Sequence, residues 1–241
     1  MRRLDVLLFV EHVSDLVERA GIKQICPARV IGLMSVDDQA CITLKIDDQS
    51  LNLSTSLVIG ADGGQSSVRK LLEIPQQKTE YGQTAIVTTV KPAIGHQFTA
   101  YERFTSSGPL ALLPTGGGCC SVVWTRTHEE AEDLIAMNET AFMKQLQECF
   151  GYRLGELVLT APRYAFPLSL IRAENMVSGR AVIIGNAVHQ LHPVAGQGFN
   201  LGLRDVVQLA EMLIERKEGE KNVGSVEFLN AFAECRQQDH D

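Results

Sequence analysis

Two glycine-rich stretches contain the residues best suited to hold a large ligand through the backbone. The first is GADGGQSSVRK at residues 60–70, and the second is GNAVHQLHPVAGQGFNLGLRD at residues 185–205. Glycine lets a ligand approach the backbone closely, and a carboxylate such as Asp62 accepts hydrogen bonds from sugar or polyol hydroxyls. The pattern indicates a binding site, formed largely by the backbone, for a bulky and partly anionic ligand. For the first stretch alone, a tight turn with a helix-capping aspartate is an equally good interpretation.

Each stretch follows a short apolar run and precedes a predicted helix. The runs LVIG at 57–60 and AVIIG at 181–185 are typical of strands buried on both faces of a parallel sheet. Ligands of open α/β sheets bind beyond the carboxyl ends of the strands, where Asp62 and Asn186 fall. Ser66 can cap the first helix, and the N-terminus of the second carries unpaired N–H groups that stabilise an anion.

Composition excludes several other classes of protein. The 241 residues carry a net charge of −7 without a lysine- or arginine-rich run, which argues against nucleic acid as a partner. No apolar run reaches the roughly 18 residues of a transmembrane helix. The six cysteines form no C-x-x-C pair, so they are predicted to be reduced thiols of a cytoplasmic protein. His189 and His192 have no carboxylate or cysteine nearby at ligand spacing, and no metal site is predicted.

The elements that must position the two stretches form an α/β pattern interrupted by a β-rich segment. A helix is predicted over residues 7–20, and a half-exposed strand contains Ala40 and Leu44 before a turn at 47–49. Helices are predicted over 129–137 and 139–150. Four short strand-like runs indicate an antiparallel sheet: TAIVTTV, HQFTAYERF, PLALLP and CSVVWT. The last predicted helix has one apolar face, formed by Leu203, Val206, Val207, Ala210, Leu213 and Ile214.

The simplest arrangement of these elements is two domains. Residues 1–80 and 163–241 are predicted to form one sheet-based α/β domain, because the strands at 57–60 and 181–185 belong together. Residues 81–162 are predicted to form an inserted antiparallel β-sheet domain.

The two stretches resemble the second and third flavin-contact motifs of the flavin-dependent aromatic hydroxylases. The second motif is a Gly-Ala-Asp-Gly followed by Ser and Arg, and the third usually opens with Gly-Asp, where this chain has Gly185-Asn186. Three features resemble the ubiquinone-biosynthesis branch of this family, in particular the 2-octaprenyl-6-methoxyphenol hydroxylases. They are that asparagine, the run LHPVAGQGFNLGLRD and the run ERFTSSGPLALLPTGGGCCSVVWT. The resemblance covers roughly residues 20–241.

The resemblance implies an FAD-dependent monooxygenase. NAD(P)H reduces the FAD of such enzymes, and one oxygen atom of O2 passes to a phenol ring, here a polyprenylated one. The 1–80 and 163–241 domain would then be a Rossmann-like FAD-binding domain of glutathione-reductase type, and 81–162 the substrate domain. The resemblance further implies a protein assembly for ubiquinone synthesis as a partner. It also implies peripheral contact with the inner membrane. The implied cofactor-binding residues are Asp62, Gly63, Arg69, Gly185, Asn186, Pro193, Gly196, Gln197, Gly198, Phe199 and Asn200. The resemblance assigns no acid or base catalyst.

The sequence departs from this family in one respect. The family opens with a strand, a G-x-G-x-x-G turn and a helix that hold the FAD pyrophosphate, and no such fingerprint occurs in this chain. The sequence is therefore expected to be a fragment of such an enzyme, with FAD absent or weakly bound. Two alternatives stay open: a non-catalytic remnant or partner subunit of a quinone-synthesis assembly, and a hydroxylase of another aromatic substrate.

Overall fold

The computed structural model describes residues 13–190, 197–219 and 222–240, which divide into two compact units. The first unit contains Glu80–Leu168 and the described part of Met1–Gln24. The second contains Ile25–Thr79 and the described parts of Ser169–Asp241. Helices, a parallel strand pair and antiparallel sheets occur together, which confirms the predicted α/β class. The assignment of FAD binding and substrate binding to separate domains stays a prediction.

The described elements are numbered in chain order. Up to the middle of the chain they are α1 (residues 13–19), β1 (Arg29–Val36), β2 (Gln39–Ile46), β3 (Gln49–Thr55), β4 (Val58–Gly60), α2 (Ser67–Leu71), β5 (Gln76–Pro92), β6 (Tyr101–Thr105), β7 (Gly108–Thr115) and β8 (Cys119–Thr127). The rest are α3 (His128–Ala136), α4 (Glu139–Phe150), β9 (Leu157–Leu159), β10 (Tyr164–Ala173), β11 (Val177–Ser178), β12 (Ala181–Ile183), β13 (His189–Gln190), α5 (Gln197–Glu218) and α6 (Val226–His240).

The first unit is built on an antiparallel sheet with the strand order β5-β8-β7-β6, and β9 also pairs with β5. Residues of α3 and α4 join the sheet in one apolar core, where the Trp124 and Phe142 rings meet edge to face at 5.9 Å. A capping box between Thr127 and Glu130 begins α3, and Gly151 ends α4 at a φ of 87°. The predicted antiparallel strands and both predicted helices are therefore confirmed, the helices to within one residue.

Two local predictions need adjustment in this unit. The run HQFTAYERF begins at residue 96, but β6 begins only at Tyr101, because Gln97 and Phe98 have φ values of 47° and 58° that no strand adopts. The helix predicted over 7–20 is present as α1, and Gly21 follows it with a φ of 67°. Residues 7–12 of that prediction lie outside the described residues.

The second unit contains two small sheets. β1, β2 and β3 form an antiparallel meander in which Ala40 and Leu44 are buried, and the predicted turn between β2 and β3 is confirmed. The other sheet has the order β11-β12-β4, and β4 lies parallel to β12 with Gly60 opposite Ile183. This pairing brings the carboxyl ends of the two apolar runs to the same edge, as the sequence predicts. α5 and α6 pack on each other, and their buried residues Leu209 and Phe232 join the core of this unit.

Two apolar surfaces in this unit are less buried than their sequences predict. β12 is buried throughout, but Ile59 in the middle of β4 is 44% exposed. On α5 the inward side carries Asp205 and Leu209, while four members of the predicted apolar face, Leu203, Val206, Val207 and Ile214, are exposed. The prediction that β4 is buried on both faces is therefore wrong for this chain. In the described part of the chain, no helix is long and apolar enough to cross a membrane.

Candidate cofactor site

The first glycine turn is organised by the carboxylate of Asp62. Its oxygens accept hydrogen bonds from the backbone N–H groups of Ser67 at 2.6 Å and Val68 at 3.1 Å, and from the Ser66 hydroxyl. The Ser66 hydroxyl in turn accepts the N–H of Arg69 at 2.9 Å, which confirms Ser66 as the predicted cap of α2. Asp62 therefore has the helix-capping role that the sequence allowed as an alternative. Its side chain is nevertheless exposed, and its contact with FAD stays a prediction.

The hydrogen bonds to Asp62 also determine its protonation. Burial by itself would raise the pKa of the carboxyl group. The hydrogen bonds from the Ser66 hydroxyl and from the N–H groups of Val68 and Ser67 outweigh that effect, so the pKa of Asp62 is lowered. The turn therefore presents a carboxylate at neutral pH.

Arg69 connects the first glycine turn to the second. Its guanidinium is buried, with 2% of the residue exposed. One terminal nitrogen donates to the carbonyl oxygen of Gly64 at 2.8 Å, and the other donates to that of Ala187 at 2.7 Å. The two turns thus lie side by side, although Arg69 and Ala187 are 118 residues apart in the chain. The predicted contact of Arg69 with FAD stays a prediction beside this structural role.

The second glycine turn follows β12 without a regular strand-to-helix connection. Gly185 has a φ of 60°, and residues Gly185–Ala187 form a single 3-10 turn. A positive φ favours glycine, which explains that residue at this position. Asn186 is exposed at the tip of the turn, while Ala187 is fully buried. The asparagine side chain is therefore available to a ligand at the sheet edge.

A buried ion pair fixes the backbone of this turn. Asp205 of α5 is fully buried, and one carboxylate oxygen accepts the N–H of Gly185 at 2.9 Å. The other oxygen lies 2.7 Å from Nε of Arg236 in α6. Burial by itself would lower the pKa of Arg236, but its hydrogen bonds to Asp205 and Asp239 outweigh that effect and raise it. Arg236 is therefore charged at neutral pH.

Sequence reasoning did not identify Asp205 and Arg236 as part of the site. Asp205 interrupts an otherwise apolar helical surface, and an aspartate at such a position needs a buried partner. That is the signal that could have found it. Arg236 lies 31 residues further along the chain and carries no comparable signal.

The glycines of the second stretch have different roles. A Cβ built on Gly202 would lie 3.3 Å from the Cα of Gly185, so Gly202 lets α5 pack close to the turn. Around Gly198, by contrast, no described atom lies within 4 Å of a built Cβ, and its φ is not positive. Gly63 in the first turn has a φ of 81° and is equally open. Among the described residues, therefore, none occupies the space beside Gly198, which is open to a ligand.

The other predicted residues of this stretch lie at or before the start of α5. Pro193 and Gly196 lie outside the described residues. Gln197 is the first residue of α5, and Phe199 and Asn200 in its first turn are exposed. The described part of the predicted site thus combines open glycines, exposed side chains and the N-terminus of a 22-residue helix with the buried Arg69.

The chemistry of these residues suits a nucleotide cofactor such as FAD. Gly63 and Gly198 offer open backbone, Asn186 offers an exposed amide, and the start of α5 carries partial positive charge that favours an anionic group. Among the described residues, no group of three or more histidine, cysteine, aspartate or glutamate side chains could hold a metal ion. The groups that these turns present to a ligand are backbone and hydrogen-bonding groups.

The fold and the two glycine turns together are those of an α/β protein that binds a nucleotide cofactor. The chain belongs to the FAD binding domain family, whose profile matches residues 32–238. This membership confirms the family that the two sequence motifs indicated.

Curated relatives refine the comparison. The ubiquinone hydroxylase UbiL of Rhodospirillum rubrum is 38% identical over 216 residues, which cover 90% of this chain and 50% of that protein. The mitochondrial ubiquinone biosynthesis monooxygenase COQ6 of Homo sapiens is 32% identical over 236 residues, which cover 84% of this chain and 50% of that protein. The chain thus spans about half the length of these relatives.

Solved structures support the fold. The anhydrotetracycline hydroxylase OxyS of Streptomyces rimosus superposes with a TM-score of 0.70 at 21% identity, over 95% of this chain and 45% of that protein. At this identity the similarity shows the fold alone.

The first prediction concerns acid stability. The folded-state pKa of Asp62 is lowered, so its contribution to stability is fully present above the ordinary aspartate pKa and is lost as pH falls through the folded-state value. Asp62→Asn removes this contribution at neutral pH. The difference in Tm between wild type and variant should therefore narrow between neutral pH and about pH 3. Asp48→Asn, in the exposed β2–β3 turn, serves as the control. A difference in Tm between wild type and Asp62→Asn that stays constant over this pH range would contradict the account.

The second prediction concerns the buried pair. Asp205→Asn leaves the buried Arg236 with a weaker partner and should lower the free energy of unfolding by about 3 kcal/mol or more. Asp38→Asn weakens an ion pair with the buried Arg180, in which the Asp38 side chain is 90% exposed. Because Arg180 also donates to Asn222, this change should cost less than about 1 kcal/mol. Urea denaturation followed by circular dichroism measures both. Equal losses in the two variants would show that the Asp205 pair does not stabilise the turn.

Proposed function

We propose that this chain supplies FAD-contacting turns and the antiparallel sheet of a monooxygenase that hydroxylates a polyprenylated phenol in ubiquinone biosynthesis. The observation that carries the proposal is the direct connection of the two glycine turns by Arg69 at one edge of the parallel sheet. The ubiquinone hydroxylase and the COQ6 monooxygenase named above support the reaction class. The motif resemblance favours a 2-octaprenyl-6-methoxyphenol-like ring.

Each described residue of the turns has a role in this proposal. Asp62 and Asn186 would hydrogen-bond the ribityl or phosphate region of FAD, since both are exposed at the sheet edge. Gly63 and Gly198 leave room for the cofactor. Gln197, Phe199 and Asn200, with Pro193 and Gly196, would line the flavin ring. When bound and reduced by NAD(P)H, FAD supplies the transfer of oxygen from O2 to the phenol.

The start of α5 would tune this chemistry. The backbone N–H groups of its first turn and the partial positive charge of a long helix favour negative charge on a ring edge beside them. The helix would therefore favour the reduced cofactor. This role uses the backbone and needs no titrating side chain.

The first unit offers a place for the substrate. A cavity of about 910 Å³ lies against β5 and β8, within the usual size range for small-molecule sites. Its lining is largely apolar and includes Val87, Thr89, Cys119, Pro162 and Tyr164. A prenylated ring suits such a lining. We further propose a cytoplasmic protein in peripheral contact with the inner membrane, within a ubiquinone-biosynthesis assembly.

Hydroxylation can be tested directly. The purified chain is mixed with saturating FAD and with a prenylated methoxyphenol in detergent. Either NADH or NADPH is added as reductant, and the reaction runs under ¹⁸O₂. Mass spectrometry should find one ¹⁸O atom on the ring of the product. Product from an unprenylated phenol alone would favour a hydroxylase of another aromatic substrate. No product despite bound FAD would favour a non-catalytic remnant or partner subunit.

We predict that the purified chain carries far less than one FAD per chain. Without the G-x-G-x-x-G turn, several N–H contacts to the pyrophosphate are lost, each worth about 1.5–3 kcal/mol. The absorbance of the purified protein near 450 nm, a general flavin band, measures the flavin content. A yellow preparation with equimolar flavin would contradict this prediction.

The space at Gly198 provides a further prediction. Gly198→Val places a branched side chain where no described atom of the chain lies, so folding should be little affected. FAD affinity should fall about tenfold or more, since the side chain would occupy the space of the cofactor. Gly95→Val is a matched control, because Gly95 is equally open and lacks a positive φ. Flavin fluorescence titration of both folded variants measures the effect; equal affinities would show that the cofactor does not lie against Gly198.

A further inference from the structure

The loop between β5 and β6 holds an aromatic side chain almost entirely in solvent. Phe98 is 92% exposed, more than any other large apolar residue in the described part of the chain. The backbone at Gln97 and Phe98 has φ values of 47° and 58°, a left-handed conformation that is costly for side chains of this size. Strain of this kind persists only where the surrounding structure imposes it, and it is concentrated at functional sites.

His96 fixes the loop in this conformation. The residue is buried, and its Nδ1 accepts the N–H of Phe98 at 3.1 Å. Its carbonyl oxygen accepts the N–H of Thr99 at 2.8 Å. The rings of His96 and Phe98 also meet edge to face, with 5.9 Å between their centroids. The exposure of Phe98 is therefore a property of an ordered turn.

Further apolar side chains are exposed at the same end of the sheet. The N–H of Ile94 donates to the carbonyl oxygen of Leu154 at 2.9 Å, which joins the loop to residues 151–156. Ile94 and Tyr152 are each more than half exposed. With Phe98, they place three large apolar side chains in solvent on two connected loops.

Two arginines accompany these side chains. Arg153 directly follows Tyr152, and its guanidinium lies 5.9 Å from the centroid of the Tyr101 ring. Arg103 donates to the carbonyl oxygen of Phe150 at 3.3 Å, at the end of α4. Both arginines are exposed, and within the described ranges no carboxylate forms an ion pair with either guanidinium. We call Ile94, Phe98, Arg103, Tyr152 and Arg153 the arginine–aromatic patch.

The composition of the arginine–aromatic patch suits the surface of an anionic lipid bilayer. Apolar and aromatic tips enter the boundary between headgroups and acyl chains, and arginines attract anionic headgroups. The residues 91–104 and 151–156 contain three lysine or arginine side chains and two carboxylates, so they carry a positive excess in a chain of net charge −7. A stable protein interface uses roughly 20–30 residues a side, many more than this patch offers.

We propose that the arginine–aromatic patch is the surface by which this chain binds an anionic membrane. Phe98 inserts below the lipid headgroups, and Arg103 and Arg153 contact their phosphate groups. The inference rests on the peripheral membrane contact proposed above and names the residues that make it. It requires neither FAD nor hydroxylation, so a failure of vesicle binding is distinguishable from a failure of the reaction.

Flotation of the purified chain with lipid vesicles tests the proposal. Binding to vesicles of phosphatidylcholine and phosphatidylglycerol in equal amounts should exceed binding to phosphatidylcholine alone, and it should weaken as salt is added. Phe98→Asn should lower binding to the anionic vesicles about tenfold or more, because it removes the inserted ring. Asparagine tolerates a positive φ, so the variant should fold as wild type does.

Phe104→Thr is the matched control for Phe98→Asn. Phe104 is also an exposed aromatic residue, but it points to the face of β6 opposite to Tyr101 and Arg103, so this variant should bind vesicles as wild type does. Arg153→Gln should weaken binding to the anionic vesicles and leave binding to phosphatidylcholine unchanged.

Insertion at position 98 can be observed directly by fluorescence. The one native tryptophan, Trp124, is fully buried, so the change in emission of Phe98→Trp reports on the introduced side chain. Its emission should shift to shorter wavelength with the anionic vesicles. Absence of vesicle binding by wild type, or equal binding by wild type and the folded Phe98→Asn variant, would overturn the proposal. A homodimer that Phe98→Asn converts to a monomer would also overturn it, because a second copy would then cover the patch.

Discussion

The buried guanidinium of Arg69 is the constraint on which the arrangement of the site depends. A buried charge must have its donors satisfied, and Arg69 satisfies them with carbonyl oxygens from both glycine turns. The parallel pairing of β4 and β12 brings those turns to one sheet edge, and Arg69 then holds them at a fixed separation. Asp205 completes the arrangement, because it ties the second turn to α5 and α6. The two turns are thus held in place by the buried charged side chains of Arg69 and Asp205.

The same two motifs encode both packing and ligand binding. Gly185 and Gly202 are required by the chain itself, the first for its positive φ and the second for the close approach of α5. Gly63 combines a positive φ with open space beside it, and Gly198 borders open space among the described residues without a positive φ. Asp62 shows the same combination in one side chain, since it caps α2 and remains exposed at the sheet edge. A family motif read from sequence therefore mixes residues that build the turn with residues that can touch a cofactor.

Local signals in the sequence predicted much of the fold. The cap at Ser66, the alternation in β2 and the continuous apolar run of β12 each specify an element through nearby residues. The late start of β6 depends on backbone angles at Gln97 and Phe98 that residue type does not encode. Arg236 could not be predicted as a site residue, because its role arises only when α6 packs against α5. The exposure of Ile59 in β4 and of the side of α5 that carries Val206 and Val207 could not be predicted, because apolar spacing does not specify which face of an element is packed.

The central claim is that the two joined turns form a surface that contacts FAD. Backbone amide spectra of the ¹⁵N-labelled chain, recorded by NMR during an FAD titration, test this claim most directly. The account predicts progressive shifts of the Gly63, Asn186 and Gly198 amides, with little change at Gly95 and Gly151 in the first unit. Shifts confined to the first unit, or none at the two turns at saturating FAD, would contradict it.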